Sequence, residues 1–356
     1  MGWPPRTSRT AVPHVGAGRH RGNDALRGLA ILAVVASHTT AEWAAFPAGH
    51  PLTALYRAVR PALDVWIPLF LLVSGYYLGR EDVDSMATYG RYLSRRARRI
   101  LPPYLLWATI LFAVGVAGGE WRVSDFPAGI VNGRFAYPHY FVSVLVKLYL
   151  AFPVFSWALK TPARAASLFV GAGGLWFYGC LPDDSLGLRS TFLVELLFRR
   201  TVHAEWAIFF ILGIFLQHRA CKTPRSAAAP NRGPGMAVAG LGLMFSVVGL
   251  VDSGRVLPGH IVGVLGVLLF LAINSNPGER FAARGRLLAG LGVQSYSIYL
   301  LHEPWLQWTK NALGAVVNER PILVQVPLVA AALGIPLAFR WLANLFPGSR
   351  TTWATG

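Results

Sequence analysis

Arg27 and His38 are the residues of this chain whose types and spacing best suit catalysis. They stand eleven positions apart in a largely apolar segment that begins at Asp24. On an α-helix they would share one face, about 16 Å apart along the axis. Ionisable groups in an apolar helix usually face a protein interior or a water-filled cavity. Because an imidazole can take up a proton near neutral pH and a guanidinium can hold negative charge, the pair predicts proton-transfer chemistry within a membrane-spanning helix.

A second candidate site is the basic cluster at residues 91–99, which directly precedes another apolar segment. Arg96 and Arg99 are three positions apart, so a helix would present both on the same side. Guanidinium groups bind phosphates through paired hydrogen bonds, so the two arginines could hold a cytosolic donor that carries several phosphates. The alternative is a cluster that orients the chain in the membrane and binds lipid headgroups.

Two later segments also carry polar residues in apolar surroundings. His139 opens one of them near its predicted outer end, where it could bind an acceptor or simply cap the helix. Tyr296, Tyr299 and His302 follow at intervals of three in the other, so they lie along one stripe of a helix. The stripe could line a polar pore, whereas tyrosines in such positions also anchor helices at the membrane surface.

The sequence offers no support for metal, nucleotide-fold or nucleic-acid chemistry. Cys180 and Cys221 are far apart and match no metal or redox spacing. No HExxH, GxSxG, Walker or GxGxxG motif is present, so we expect no bound metal. The basic residues behind the net charge of +17 cluster in short segments between apolar runs, so we expect no nucleic-acid partner.

Membrane helices must position these residues. Of the 356 residues, 54% are hydrophobic and only 14% are charged, where a soluble protein would have about 25% charged. The predicted fold class is therefore all-α, a polytopic integral membrane protein with about ten transmembrane helices. Ser74 and Gly75, inside the second span, predict a close approach of two helices. The predicted spans are at 25–45, 63–79, 100–118, 137–157, 165–182, 203–217, 235–251, 258–273, 287–306 and 321–342.

The basic residues also predict the orientation of the chain. An even number of spans places both termini on one side, and roughly twice as many Lys and Arg fall on that side as on the other. Both termini are therefore predicted to be cytoplasmic. We expect a basic, disordered tail at 1–22, a transmembrane domain at 23–345 and a short tail at 346–356.

Four segments, in their order along the chain, resemble the membrane-bound acyltransferase 3 family, which includes bacterial O-acetyltransferases of surface polysaccharides. The ten-span plan agrees, and the resemblance covers nearly the whole chain. One departure is the fourth span, which opens with His139-Tyr-Phe-Val where many relatives have His-Leu-Trp-Phe/Tyr. The four segments are Asp24-Ala-Leu-Arg27-Gly-Leu-Ala with His38, Pro68-Leu-Phe-Leu-Leu-Val-Ser74-Gly75-Tyr-Tyr-Leu, Arg96-Ala-Arg98-Arg99-Ile-Leu-Pro102-Pro-Tyr104, and Ser295-Tyr-Ser-Ile-Tyr-Leu-Leu-His302-Glu-Pro304.

The resemblance implies transfer of an acyl group, most often acetyl, from cytoplasmic acyl-CoA to a glycan hydroxyl. His38 would then be a general base or a transient acyl carrier. Arg27 would hold part of the donor or stabilise developing negative charge. Arg96 and Arg99 would bind the phosphates of coenzyme A. His139, Tyr299 and His302 would bind the acceptor.

The same resemblance implies a multi-pass protein of the bacterial cytoplasmic (inner) membrane, in contact with lipid and able to associate with polysaccharide-biosynthesis enzymes. Alternatives within the class are a succinyl or other acyl group and a non-glycan acceptor. An alternative outside it is a transporter or flippase of a glycan or lipid intermediate. Discontinuous helices in repeated halves would favour a transporter, and the sequence shows none.

Overall fold

The computed structural model describes most of the chain, and every regular element in the described ranges is helical, as predicted. The predicted spans at 235–251 and 258–273, and the predicted tails, lie wholly or mostly outside those ranges. The described ranges are 21–180 except 48, 65 and 82, then 206–222, 266–270 except 269, and 285–344.

The described helices range in length from 4 to 32 residues. In the first half of the chain they are α1 (Arg21–Thr39), α2 (Pro51–Leu63), α3 (Trp66–Leu78), α4 (Met86–Ala117), α5 (Phe126–Asn132), α6 (Tyr140–Ala158) and α7 (Pro162–Cys180). In the second half they are α8 (Ala207–Lys222), α9 (Arg286–Val293), α10 (Ser295–Leu313), α11 (Val316–Glu319), α12 (Gln325–Val329) and α13 (Ile335–Asn344). A π-helical turn, Ala330–Gly334, joins the last two.

Two predicted spans differ from the helices observed. The first was predicted to continue to 45, but α1 ends at Thr39 and a 3-10 helix, Ala41–Ala45, follows. The hydroxyls of Thr39 and Thr40 both donate to the Ala36 carbonyl, which offers the backbone an alternative to further helix. The span predicted at 287–306 is two helices, α9 and α10, which meet at Gln294.

The basic cluster and the third predicted span form one continuous helix, α4. Ser85 caps its first turn, because the Ser85 hydroxyl accepts from the Thr88 backbone N–H while the Thr88 hydroxyl accepts from that of Ser85. The arginines therefore lie on the same helix as the apolar stretch that follows them, and Pro102 and Pro103 stand between the two parts.

Membrane character is supported by three described helical segments that are long and apolar enough to cross a bilayer, Met86–Ala117, Tyr137–Ala158 and Gln325–Leu342. Two shorter apolar helices, Trp66–Leu78 and Ala207–Arg219, accompany them. An integral membrane protein follows from these segments. The number of ten spans and the side on which the termini lie stay predictions.

Glycines allow two helix pairs to touch backbone to backbone. A Cβ added at Gly75 of α3 would collide with the Phe210 carbonyl oxygen of α8, and one at Gly213 would collide with that of Leu72. This confirms the close approach predicted at Ser74-Gly75.

The packing of α1 against α9 depends on glycine in the same way. A Cβ at Gly28 would meet the Leu288 carbonyl oxygen, and one at Gly292 would meet that of Asp24. Helix α1 therefore packs tightly on α9 through a face next to the one that carries Arg27.

Helix α10 runs parallel to α1. The start of α1 contacts the start of α10 through Arg27 and Ser295, and the end of α1 reaches Glu303, two turns further along α10. Helix α6 runs the opposite way, because His139, directly before it, lies 3.3 Å from the Leu300 carbonyl oxygen of α10, whereas Tyr149, halfway along α6, lies beside Arg96 and lines the same cavity as Arg27.

We predict that Gly75→Ala lowers the free energy of unfolding by about 1–3 kcal/mol, because the added methyl group forces α3 and α8 apart. Thermal unfolding of the detergent-purified protein measures this. Gly174→Ala is the matched control, since nothing lies within 4 Å of a Cβ at that helical position. Equal stability of the two variants would show that the α3–α8 contact is not tight.

The predicted orientation can be measured with an impermeant maleimide in intact cells. In a background where Cys180 and Cys221 are serine, we expect Glu120→Cys to be labelled, because residues 119–136 are predicted to lie outside. Met86, which is 82% exposed, lies in the predicted cytoplasmic segment 80–99, so Met86→Cys should react only after permeabilisation. Labelling of Met86→Cys in intact cells would show that the orientation is the opposite of the predicted one.

Candidate active site

An arginine cavity of about 390 Å³ opens between α1, α3, α4, α6 and α10. Arg27, Arg96 and Arg99 all lie on its wall, which confirms that Arg96 and Arg99 face the same way. The remaining lining residues are mainly apolar and aromatic, with a few hydroxyls: Asp24, Phe70, Val73, Ser74, Tyr77, Leu78, Ile100, Phe141, Val142, Leu145, Tyr149, Ser295, Tyr296 and Tyr299.

Arg27 is fixed within the cavity by one hydroxyl and one distant carboxylate. Its Nη2 donates to Ser295 Oγ at 2.9 Å, and its Nη1 lies 4.0 Å from Asp24 Oδ1, one turn earlier on α1. The side chain is 21% exposed, so the guanidinium keeps access to the cavity. Neither contact is a bidentate grip, and Arg27 has donors left for an anionic ligand.

The two arginines of α4 differ in their surroundings. Glu81, in the turn after α3, accepts from Arg96 Nη2 at 3.0 Å and also pairs with Arg95. Arg96 lies over the rings of Tyr92 and Tyr149, with its guanidinium carbon 5.9 Å from each ring centroid.

Arg99 makes no hydrogen bond or ion pair with any residue that the structure describes, and it is exposed. It therefore stands at the mouth of the arginine cavity as the guanidinium with most freedom to bind an external anion. Arg96 is held in place by Glu81, whose carboxylate already satisfies part of its donors.

A histidine cluster, His38, His302 and Glu303, lies at the other end of the α1–α10 pair. His38 Nδ1 is 3.1 Å from Glu303 Oε2, and the His38 side chain is 14% exposed. The rings of His38 and His302 meet edge to face, with centroids 5.2 Å apart. Tyr137 also meets the His38 ring edge to face, at 5.7 Å, and is 69% exposed, so it forms the rim of this end.

The backbone determines the tautomer of His302. Its Nδ1 is 3.0 Å from the Ile298 carbonyl oxygen and 2.9 Å from that of Tyr299. Because a carbonyl oxygen can only accept, Nδ1 carries the proton, and Nε2 is left with a lone pair. Nε2 is buried and has no hydrogen-bond partner among the described residues.

Glu303 is a candidate functional residue that the sequence reasoning did not identify. It is 8% exposed, and its second oxygen, Oε1, accepts from Gln307 Nε2 at 2.7 Å. The available signal was a carboxylate in an apolar helix directly after a histidine, which by itself marks an intramembrane acid as functional. Its partner, His38, could not be read from spacing because it is 265 positions away in the sequence.

Tyr299 separates the arginine cavity from the histidine cluster. It lines the cavity, and its ring centroid is 6.0 Å from that of His302 and 5.8 Å from that of Phe141. His38 and His302 do not line the cavity. The aromatic rings of Tyr299 and Phe141 thus form the partition between the two ends.

His139 is fully buried and does not line the arginine cavity. Its Nε2 is 3.3 Å from the Leu300 carbonyl oxygen, and its ring meets that of Tyr104 edge to face at 5.6 Å. The structure therefore places Tyr299 and His302 beside the candidate chemistry but does not bring His139 to it. The role predicted for His139 in acceptor binding stays a prediction.

The site offers two kinds of ligand chemistry. The arginine cavity is basic and could hold the phosphates of coenzyme A. In the histidine cluster, one atom from each of His38, His302 and Glu303 lies within 4.8 Å of the others, so the three could hold a metal ion. Without a metal, the same residues form a histidine–carboxylate pair able to take up and return a proton.

Comparison with known proteins identifies the family of the chain. A family model described as an acyltransferase domain matches residues 21–341, which includes every residue of both sites. Comparisons with curated proteins and with solved structures found no match. The chain belongs to the acyltransferase 3 family of membrane acyltransferases.

Proposed function

We propose that the protein transfers an acyl group, most simply acetyl, from acyl-CoA to a hydroxyl of an exported glycan or its lipid-linked precursor. The observation that carries the proposal is the α1–α10 pair, which has Arg27 beside the two arginines of α4 towards one end and a histidine–carboxylate pair further along. Donor and acceptor would thus approach from opposite ends of one helix pair.

The arginine cavity suits the donor. Its volume of about 390 Å³ lies near the lower end of the roughly 300–1,000 Å³ of ligand pockets. It can take a thin pantetheine arm, whereas the nucleotide and its phosphates would remain at the mouth beside Arg99. Arg27, with donors to spare, would hold the donor deeper inside. We assign Arg27 to donor binding rather than to charge stabilisation, because it lies at the opposite end of α1 from His38.

The histidine cluster would supply the base that activates the acceptor hydroxyl. A thioester is already activated, but an alcohol attacks poorly until a base removes its proton. His38 would take that proton as the hydroxyl oxygen forms a bond to the acyl carbon. Glu303, 3.1 Å from Nδ1, would orient the ring and stabilise the imidazolium. The C–S bond then breaks, and the departing thiolate receives the proton from His38.

His302 and Tyr299 would guide the two substrates to each other. The free lone pair of His302 Nε2 could accept a hydrogen bond from a neighbouring hydroxyl of the glycan acceptor and so hold the reacting hydroxyl beside His38. The acyl end of the donor must pass Tyr299, which divides the arginine cavity from the cluster. A movement of this ring would bring the thioester within reach of the acceptor.

If His38 is the base, His38→Ala should lower transfer by roughly 10²- to 10⁴-fold and leave coenzyme A affinity nearly unchanged. Glu303→Gln should lower transfer in the same direction. Initial rates and isothermal titration of coenzyme A into detergent-purified protein measure the two effects. His50→Ala is the control, since His50 stacks on Phe46 outside the cluster. Wild-type transfer by His38→Ala would exclude both the base and an acyl-carrier role.

If Arg99 binds the donor phosphates, Arg99→Ala should weaken coenzyme A binding by roughly 10- to 150-fold, because charge-assisted hydrogen bonds are lost. Arg99→Lys should restore only part of the affinity, since an ammonium cannot grip a phosphate bidentately. Arg98→Ala is the matched control, because Arg98 is exposed on the same helix and does not line the cavity. Equal coenzyme A affinities of Arg99→Ala and Arg98→Ala would favour the alternative, in which the basic cluster orients the chain in the membrane and binds lipid headgroups.

A further inference from the structure

We propose that His38, His302 and Glu303 form a binding site for a divalent transition-metal ion such as Zn²⁺, and that the ion inhibits transfer by occupying the base. The metal site stands on the geometry of the cluster alone, whereas its inhibitory effect rests on the proposed function. The transfer reaction itself would remain free of metal.

The donor set and its spacing fit such an ion. Two imidazoles and one carboxylate are a ligand set that proteins use for zinc. His38 Nδ1 and Glu303 Oε2 are 3.1 Å apart, and one atom from each of the three residues lies within 4.8 Å of the others. Bonds of about 2.0–2.2 Å to a shared ion require ligand atoms roughly 3–3.5 Å apart, so only a small inward movement is needed.

In two of the three residues, His302 and Glu303, the atom that would not bind the metal is already hydrogen-bonded, as is usual for metal ligands. His302 donates its Nδ1–H to backbone carbonyl oxygens, which fixes the ring and leaves the Nε2 lone pair without a partner among the described residues. Glu303 Oε1 is held by Gln307, which leaves Oε2 directed to His38. Hydrogen bonds of this kind orient the ligands of metal sites and raise their affinity.

Charge and burial decide which ion would bind. The cluster brings a single carboxylate and two nitrogen ligands, too few oxygens for Ca²⁺ or Mg²⁺, whereas imidazole suits Zn²⁺, Co²⁺, Ni²⁺ and Cu²⁺. The nearby Lys310 is paired with Glu42 at 2.8 Å, so its charge is already balanced. Access is possible from the rim, where Tyr137 is 69% exposed and contacts His38.

Occupation of the cluster would remove the base in either coordination mode. An ion bound at Nε2 takes the lone pair that would receive the proton of the acceptor hydroxyl. An ion bound at Nδ1 forces the ring proton onto Nε2, which then presents N–H in place of a lone pair. The arginine cavity is untouched in both cases, so donor binding would persist while transfer stops.

The binding itself is measured without substrates, in the full-length protein purified in detergent and stripped with a chelator. Zn²⁺ competition against a chromogenic chelator should give one site, and Co²⁺ should give visible absorption bands of a nitrogen- and oxygen-ligated ion. His302→Gln and Glu303→Gln should each weaken Zn²⁺ binding roughly 100-fold or more, and Gln307→Ala about tenfold. Millimolar Mg²⁺ should not compete.

His50→Gln is the matched control and should bind Zn²⁺ as the wild type does, and coenzyme A titration shows that each variant is folded. Absent binding, or equal binding in the wild type, His302→Gln and Glu303→Gln, would overturn the site. Zn²⁺ should also stop transfer at the concentration that fills the site, with coenzyme A affinity unchanged. Undiminished transfer by protein whose site is filled with Zn²⁺ would overturn the proposed inhibition. Unchanged coenzyme A binding in Arg99→Ala would count against the proposed donor site and would leave the metal site unaffected.

Discussion

The parallel contact between α1 and α10 is the constraint on which both sites depend. Arg27 donates to Ser295 near the start of the two helices, and His38 lies 3.1 Å from Glu303 two turns further along α10. Polar contacts of this kind are hard to replace in an apolar interior, because a lost partner leaves a buried group unsatisfied. Since Arg27 and His38 both stand on α1, helix geometry sets the distance between the arginine cavity and the histidine cluster, and Gly28 lets an adjacent face of α1 pack closely on α9.

This constraint explains how an acyl group could be moved across a membrane without moving the whole donor. Under the proposed function, the charged phosphates of acyl-CoA would stay at the arginine end, and the thin arm that carries the thioester would enter the arginine cavity. Tyr299 lines the arginine cavity and contacts His302, so the arm would have to pass this ring. The proposed base, His38, would need to be accessible to the acceptor, and its side chain is 14% exposed beside Tyr137 at the rim.

Helical periodicity predicted which residues share one face of a helix. It could not predict contacts between residues of different helices, because these depend on which helices pack together. Arg96 and Arg99 line one cavity because a three-residue spacing on any helix requires it. Nothing in the spacing shows that His38 would meet Glu303, or that Glu81 would pair with Arg96. His139 was singled out as a polar residue opening an apolar segment, and its burial against Tyr104 depends on how α6 packs on α4. Hydropathy likewise found the apolar segments but not the hydroxyl contacts that end α1 at Thr39.

Vectorial transfer in membrane vesicles tests the central claim most directly, because acyl-CoA cannot cross a bilayer. Radiolabelled acetyl-CoA would be added outside inside-out and right-side-out vesicles that contain the protein and the endogenous glycan, with His38→Ala vesicles as the background. If the arginine end faces the cytoplasm and the histidine end faces outward, only inside-out vesicles should incorporate label into glycan above that background. Equal incorporation by right-side-out vesicles would contradict the separation of donor and acceptor between the two ends of the α1–α10 pair.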